Sequence, residues 1–236
     1  MKRIFLVLFI LDFSIKLFSE PALAKLENIN QSQRPYNENA LSLIIKDYSV
    51  TKYEVGKIKP LGEISVNFDN SCVINFFANK YEINIGNKQF EKNRESFTIL
   101  VKYLQGIFYG NIIPNESYVV FEENNKIVYQ YDYEYKGQKC YNKYYIEDGK
   151  FYRSEVFKKV DETPLVTIEY SYIEKNGKRY MVGSNSDNKN NGIIQKYVLE
   201  YIENGDTTVP KIIKVISIGN GIRYETKYHV VGQIIR

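Results

Sequence analysis

The sequence predicts a mainly β protein with one or two helices, an α+β chain whose strands follow one another as an antiparallel meander. Three observations predict it. Apolar and polar residues alternate over long stretches, Asx-Gly dipeptides recur between those stretches, and a single segment carries a helical stripe instead. Alternation is clearest from Lys126 to Tyr135. There Ile127, Tyr129, Tyr131, Tyr133 and Tyr135 share one side, and Val128, Gln130, Asp132 and Glu134 the other. Successive side chains of a strand point to opposite faces, so this strand has one aromatic face and one mostly wet face. Because one face is wet, the sheet is antiparallel rather than parallel and buried on both sides. Many strands with few helices imply a strongly bent sheet, closed into a barrel or left partly open with a helix plugging it.

In chain order, Leu41 to Ile45 reads as one or two helical turns capped by Asn37 or Asn39, and Asp47 to Val55 as extended. Leu61 to Phe68, Cys72 to Phe77 and Tyr81 to Ile85 read as short strands, with Asp69-Asn70 as a turn between the first two. Phe97, Leu100, Val101, Leu104 and Phe108 form the helical stripe. Asn93 or Ser96 can cap its start, Gly110-Asn111 closes it, and Pro114 prevents continuation. Nine further strands are expected between Ser117 and Val230. Asn124-Asn125, Lys136-Gly137, Asp148-Gly149, Asn176-Gly177, Asn204-Gly205 and Asn220-Gly221 separate them, as hairpin turns do. Two of these strands alternate as clearly as the first. Val166, Ile168, Tyr170 and Tyr172 share a face in one; Ile222, Tyr224, Thr226, Tyr228 and Val230 share a face in the other. The polar stretch Ser184 to Asn191 reads as a surface loop.

The chain has 236 residues, with 22 Tyr and 13 Phe but no Trp, a balance that favours strands. The N-terminus has the layout of a secretory signal peptide over residues 1–24. Lys2 and Arg3 precede the apolar run Ile4 to Leu11, and Ala22-Leu23-Ala24 offers a cleavage site. Residues 25–39 read as a flexible polar leader, and 40–236 as one antiparallel β domain. Cleavage would remove three cations (Lys2, Arg3, Lys16) and two carboxylates (Asp12, Glu20), taking the net charge from +4 to +3. No later stretch is long and apolar enough for a transmembrane helix, so the expected location is periplasmic or secreted. Charge is spread evenly, and no Lys/Arg block suggests nucleic acid as a partner. Cys72 and Cys140 are the only cysteines. In an oxidising compartment they either pair in a disulfide or remain buried thiols in neighbouring strands.

Catalytic patterns are missing. The chain has no G-x-S-x-G, no H-E-x-x-H, no P-loop and no C-x-x-C. The single histidine, His229, falls on the polar face of its strand, and a triad or metal site would need partners that the sequence does not place. The carboxylate pairs Glu122-Glu123 and Asp132/Glu134 lie at a turn and on a wet face, where solvation is the simpler account. The expectation is a protein that is not an enzyme and holds neither cofactor nor metal.

The segments Phe151 to Phe157, Leu165 to Tyr170 and Asn176 to Tyr180 resemble the central hairpins of exported proteins related to the bacterial lipoprotein carrier LolA. The order of elements is similar too: signal peptide, first helix, several strands, second helix, long meander. The resemblance implies an unclosed half barrel whose concave apolar face holds acyl chains beneath an amphipathic helix. On that basis the expected function is a carrier or binding protein for a lipid-like or lipoprotein acyl ligand. The expected lining is Tyr129, Tyr131, Tyr133, Val166, Ile168, Tyr170 and Tyr172 from strands, with Phe97, Leu100 and Leu104 from the helix. Their role would be apolar burial, with tyrosine hydroxyls holding a polar head. The alternative is an envelope structural or interaction protein that binds a protein or glycan partner through a tyrosine-rich sheet face.

Overall fold

A computed structural model describes residues 35–36, 39–78, 80–86, 94–109, 118–124, 126–135, 137–189, 191–205 and 207–235. Among the described residues the protein is one antiparallel twelve-stranded sheet and one α-helix. The signal-peptide segment, most of the leader, the Asn93 cap and the Gly110–Pro114 stop lie outside the described residues.

β1 (Ala40–Glu54), β2 (Pro60–Phe76) and β3 (Tyr81–Ile85) precede the helix α1 (Arg94–Tyr109). After it come β4 (Val119–Glu123), β5 (Lys126–Tyr135), β6 (Gln138–Glu147), β7 (Lys150–Lys158) and β8 (Val166–Lys175). β9 (Lys178–Asn188), β10 (Ile193–Asn204), β11 (Thr207–Gly219) and β12 (Ile222–Ile235) complete the chain. Strand order is β3-β2-β1-β12-β11-β10-β9-β8-β7-β6-β5-β4. Each strand pairs with its sequence neighbour except where β12 returns to β1, and the sheet ends at β3 and β4 without closing. The closed-barrel alternative is therefore excluded.

The hairpin chemistry explains the meander. Asp148-Gly149, Asn176-Gly177 and Asn220-Gly221 each have positive φ at both positions. They join strands paired right up to the turn: Glu147↔Lys150, Lys175↔Lys178 and Gly219↔Ile222. That is the two-residue turn whose twist matches the flanking strands, and Asn or Asp followed by Gly tolerates it best.

Three expectations are corrected. Leu41 to Ile45 is not helical but the start of β1, in which Leu41, Leu43 and Ile45 are buried at period two. Asp69-Asn70 is no turn. It lies inside β2, where the register with β1 jumps from Asp47↔Asn67 to Ile45↔Cys72, so extra residues are absorbed as a bulge rather than a reversal. Ser184 to Asn188 belongs to β9, paired with β8 and β10, rather than to a loop. Cys72 and Cys140 are both buried and free. They lie on β2 and β6, with seven strands between them in the sheet order, so they are neither paired nor in adjacent strands.

The apolar interior falls into two clusters. The larger joins α1, through Phe97, Leu100, Val101, Leu104 and Phe108, to residues of β1, β2 and β9 to β12. Phe108 meets Phe76 and Tyr36 edge-on at ring separations of 5.3 and 5.5 Å. Tyr36, inside the stretch read as a leader, is buried, and its hydroxyl donates to the Thr208 carbonyl at 3.1 Å. Tyr109 fixes the end of the helix. Its hydroxyl reaches the carbonyls of Asn39 at 2.7 Å and Phe76 at 2.9 Å, and accepts from the Leu41 N–H at 3.0 Å. The smaller cluster holds Tyr118, just before β4, with Tyr129, Tyr144, Ile146 and Phe151 on β5 to β7. Tyr170 packs against both.

Candidate functional site

A groove of about 430 Å³ opens where the two clusters meet. One wall is the shoulder of α1, at the margin of its buried stripe. Lys102, Tyr103, Gly106 and Tyr109 follow one another at helical spacing there, with Gln105 and Ile107 beside them. Gly106 has no side chain, so at that turn the groove reaches the helix backbone. The other wall is one face of β6 to β9, contributed by Asn142, Tyr144, Ser154, Val156, Ile168, Tyr170 and Met181. Strand register explains why these residues converge. Tyr144 sits opposite Ser154, and Ser154 opposite Ile168, so the three form one row across the sheet.

Hydroxyls and rings organise the walls. The Tyr103 ring stacks on Tyr197 at 3.9 Å, and its hydroxyl is hydrogen-bonded to the Ser184 Oγ. The Tyr170 and Ser154 hydroxyls share a hydrogen bond of 2.9 Å. Asn142, itself buried, donates from Nδ2 to the Tyr144 hydroxyl at 3.1 Å, and Gln105 donates to the Phe77 carbonyl. Burial pushes the Tyr103, Tyr144 and Tyr170 hydroxyls above their ordinary range; the bonds from Ser184 and Ser154 oppose it at Tyr103 and Tyr170. All three therefore stay neutral hydrogen-bonding groups near neutral pH. Among the described residues the lining contains no carboxylate, and its one formal charge is Lys102, which is exposed.

Of the ten residues expected to line a ligand site, Ile168 and Tyr170 border this groove. Phe97, Leu100 and Leu104 are buried within the larger cluster, between helix and sheet. Tyr172 packs against the same cluster. Tyr129 is buried in the smaller cluster, and Tyr131 packs beside it, stacked on Tyr144 with ring planes 13° apart. Tyr133 lies one step further along β5, 5.5 Å from the Tyr131 ring. Val166 is half-buried on β8. Sequence reasoning missed Tyr103, Gly106, Asn142, Tyr144 and Ser154. The helix residues lie off the apolar stripe. Asn142 and Ser154 are polar groups on an inward face, a role only the register reveals.

The opposite face of β4 to β7 carries a second, polar recess of about 340 Å³ that includes Tyr145, Tyr152, Arg153 and Glu155. A register shift between Tyr145 and Ile146 opens a bulge in β7, where Tyr152 is the unpaired extra residue. Glu155 is buried but fully engaged: the Tyr145 hydroxyl donates to it at 2.6 Å, and the Arg153 guanidinium pairs with it. Two of the four carboxylates singled out earlier are also engaged. Glu123 pairs with Lys143 at 2.7 Å, and Asp132 with Lys159 at 2.7 Å. His229 meets Asp47 at 2.5 Å, both half-exposed. Among the described residues no group of His, Cys, Asp and Glu is placed to hold a metal ion, and no helix is long and apolar enough to cross a membrane. No family model and no curated protein matches the chain.

Proposed function

We propose that the chain is an exported, non-enzymatic carrier that holds a lipid-like, acyl-bearing ligand. In this reading the sheet is a bent half barrel, as in the LolA-like carriers, and α1 covers part of its concave face. The acyl chain enters the groove between α1 and β6 to β9. The observation that carries the proposal is the make-up of that groove. It is the right size for a small-molecule site, roughly 300 Å³ or more. Its walls are mostly apolar and aromatic, with neutral hydroxyls converging from Tyr103, Tyr144, Tyr170 and Ser154. Apolar walls favour a hydrocarbon chain, while fixed hydroxyls orient one polar end. Engaged carboxylates and a half-exposed histidine on other surfaces favour binding over catalysis.

The test is displacement of a fluorescent acyl probe, with native mass spectrometry of protein purified from membranes. Gly106→Leu projects a side chain into the groove while improving helix propensity by roughly 0.5–1 kcal/mol. Probe binding should fall at least tenfold with thermal stability retained. Wild-type protein that binds no acyl probe and carries no lipid would exclude the carrier reading.

A further inference from the structure

The β1–β2 hairpin carries a feature that the groove does not use. Every residue from Glu54 to Ser65 is exposed. Four large apolar side chains stand in this stretch: Val55 at 48%, Ile58 at 93%, Leu61 at 61% and Ile64 at 65% exposure. Among the described residues twelve large hydrophobics are exposed, so a third of them fall within ten consecutive positions. A single exposed leucine needs no explanation, but a cluster of this kind marks an interaction surface.

The hairpin is built firmly enough to present it. β1 and β2 remain paired out to Tyr53↔Pro60. The Lys57 N–H closes the turn on the Glu54 carbonyl at 3.0 Å, and the Val55 N–H bonds the Gly221 carbonyl at 2.9 Å. That second bond ties the tip to the β11–β12 turn. Beyond its partner β1, the outer edge of β2 from Pro60 to Asn67 has no strand beside it among the described residues, because β3 pairs only from Cys72 to Phe76.

The surroundings select the partner. Ile58 is flanked by Lys57 and Lys59, both exposed and, among the described residues, in no ion pair. Just behind the tip lie two tyrosine rings with cations over their faces: Arg223 over Tyr53 at 4.3 Å, and Lys52 over Tyr224 at 5.8 Å. Tyr224 is itself 43% exposed. The tip therefore brings together exposed aliphatic side chains, the two lysines that bracket Ile58, and tyrosines that carry cations. A bilayer surface offers the matching chemistry in one place: hydrocarbon, anionic headgroups and an interfacial zone that favours tyrosine. A protein partner would need an acidic rim around an apolar patch to match both lysines.

We propose that the β1–β2 hairpin tip docks the protein reversibly on an anionic lipid surface. Val55, Ile58 and Leu61 enter the acyl boundary, while Lys57 and Lys59 pair with headgroup phosphates. Few aliphatic side chains enter, so binding is reversible and depends on both the apolar and the electrostatic contribution.

Vesicle co-sedimentation tests this, using phosphatidylcholine vesicles with and without phosphatidylglycerol. All variants carry the same N-terminus as the wild type, so any binding by that segment cancels. The wild type should sediment with anionic vesicles and release as salt rises, because screening removes the headgroup attraction. Ile58→Ser/Leu61→Ser should lose binding at least tenfold, and Lys57→Gln/Lys59→Gln should lose the preference for anionic vesicles. These positions are exposed, so both variants should melt like the wild type and keep acyl-probe binding in the groove. Equal vesicle binding by wild type and the serine variant would overturn the proposal. So would concentration-dependent self-association lost in that variant, since the tip would then serve a second copy of the chain.

Discussion

The helix-backed part of the sheet (β1 to β3 and β9 to β12) and the wing formed by β4 to β8 share one hydrogen-bonded sheet but are stabilised differently. The first buries a large apolar cluster against α1. The wing has a five-residue cluster, four of them aromatic, and depends on paired rings and cross-strand ion pairs. Tyr141 stacks on Phe157 at 4.7 Å, Lys126 bridges to Glu147 at 2.6 Å, and Lys143 bridges to Glu123. The difference teaches why the groove lies where it does. Packing against the helix ends near Met181, aromatic packing in the wing begins at Tyr144, and Tyr170 is shared. A cavity forms at a seam where neither cluster supplies enough side chains to fill the space.

The largest expected effect separates the two parts directly. Phe108→Ala removes a fully buried ring from between α1 and β2, and should cost about 3–5 kcal/mol in urea unfolding. Phe151→Ala in the wing should cost less and chiefly raise amide exchange in β4 to β7, because marginal units open locally. Equal global losses for the two variants would erase the distinction. A smaller effect is expected at Gly232 in β12. A Cβ there would stand 2.7 Å from the Val209 Cβ and 3.2 Å from the Pro210 carbonyl. Gly232→Ala should therefore cost about 1–3 kcal/mol by overpacking. A neutral result in thermal melts would mean that β11 and β12 give way more easily than the packing implies.

How much of this was legible depended on whether the signal was local. The Asx-Gly turns are local, and they placed the β6–β7, β8–β9 and β11–β12 hairpins to within a few residues. β1 was misread because Leu41-Ser42-Leu43-Ile44-Ile45 is too short and too apolar for period two to stand out from a helical turn. The middle of β2 was misread because Asp69-Asn70 has turn chemistry, yet the strand pairs with β1 on both sides of it. In the site, Ile168 and Tyr170 were legible from alternation alone. Asn142 and Ser154 were not, since their inward position follows from pairing with β7 and β8, which is a property of register. The shoulder residues of α1 were invisible because the stripe reveals which face is buried, not what lies beside it.

Alkaline pH should load the helix-backed part from within. Burial pushes the Cys72 thiol up from 9.0 to about 12. Below pH 9 the thiol is protonated in both folded and unfolded chains, and the full stability is present. Between pH 9 and 12 the unfolded chain has lost that proton while the folded chain keeps it, so stability falls as pH rises. The slope is about 1.4 kcal/mol per pH unit for one such group. Tyr109, raised by burial from 10.0 to about 12 against the opposing Leu41 hydrogen bond, joins from pH 10. Urea unfolding of Cys72→Ala should therefore show no loss from this thiol between pH 9 and 10. A wild-type slope as flat as that of the variant would show that the thiol is solvated.

The smallest effect concerns the ion pairs of the wing. Lys159 and Asp132 are 2.7 Å apart, but both side chains are more than half exposed. A double-mutant cycle on Lys159→Ala and Asp132→Ala should give a coupling of at most about 1 kcal/mol, shrinking as salt is added. Arg153 and Glu155 differ because the Glu155 side chain is only 7% exposed. Arg153→Ala strands a buried carboxylate and should cost more than Lys159→Ala, whereas Arg153→Ala/Glu155→Gln should recover part of the loss. Equal costs for Arg153→Ala and Lys159→Ala would mean that water reaches Glu155. The wing would then rest on its stacked rings, with the charges on its outer face serving solubility rather than cohesion.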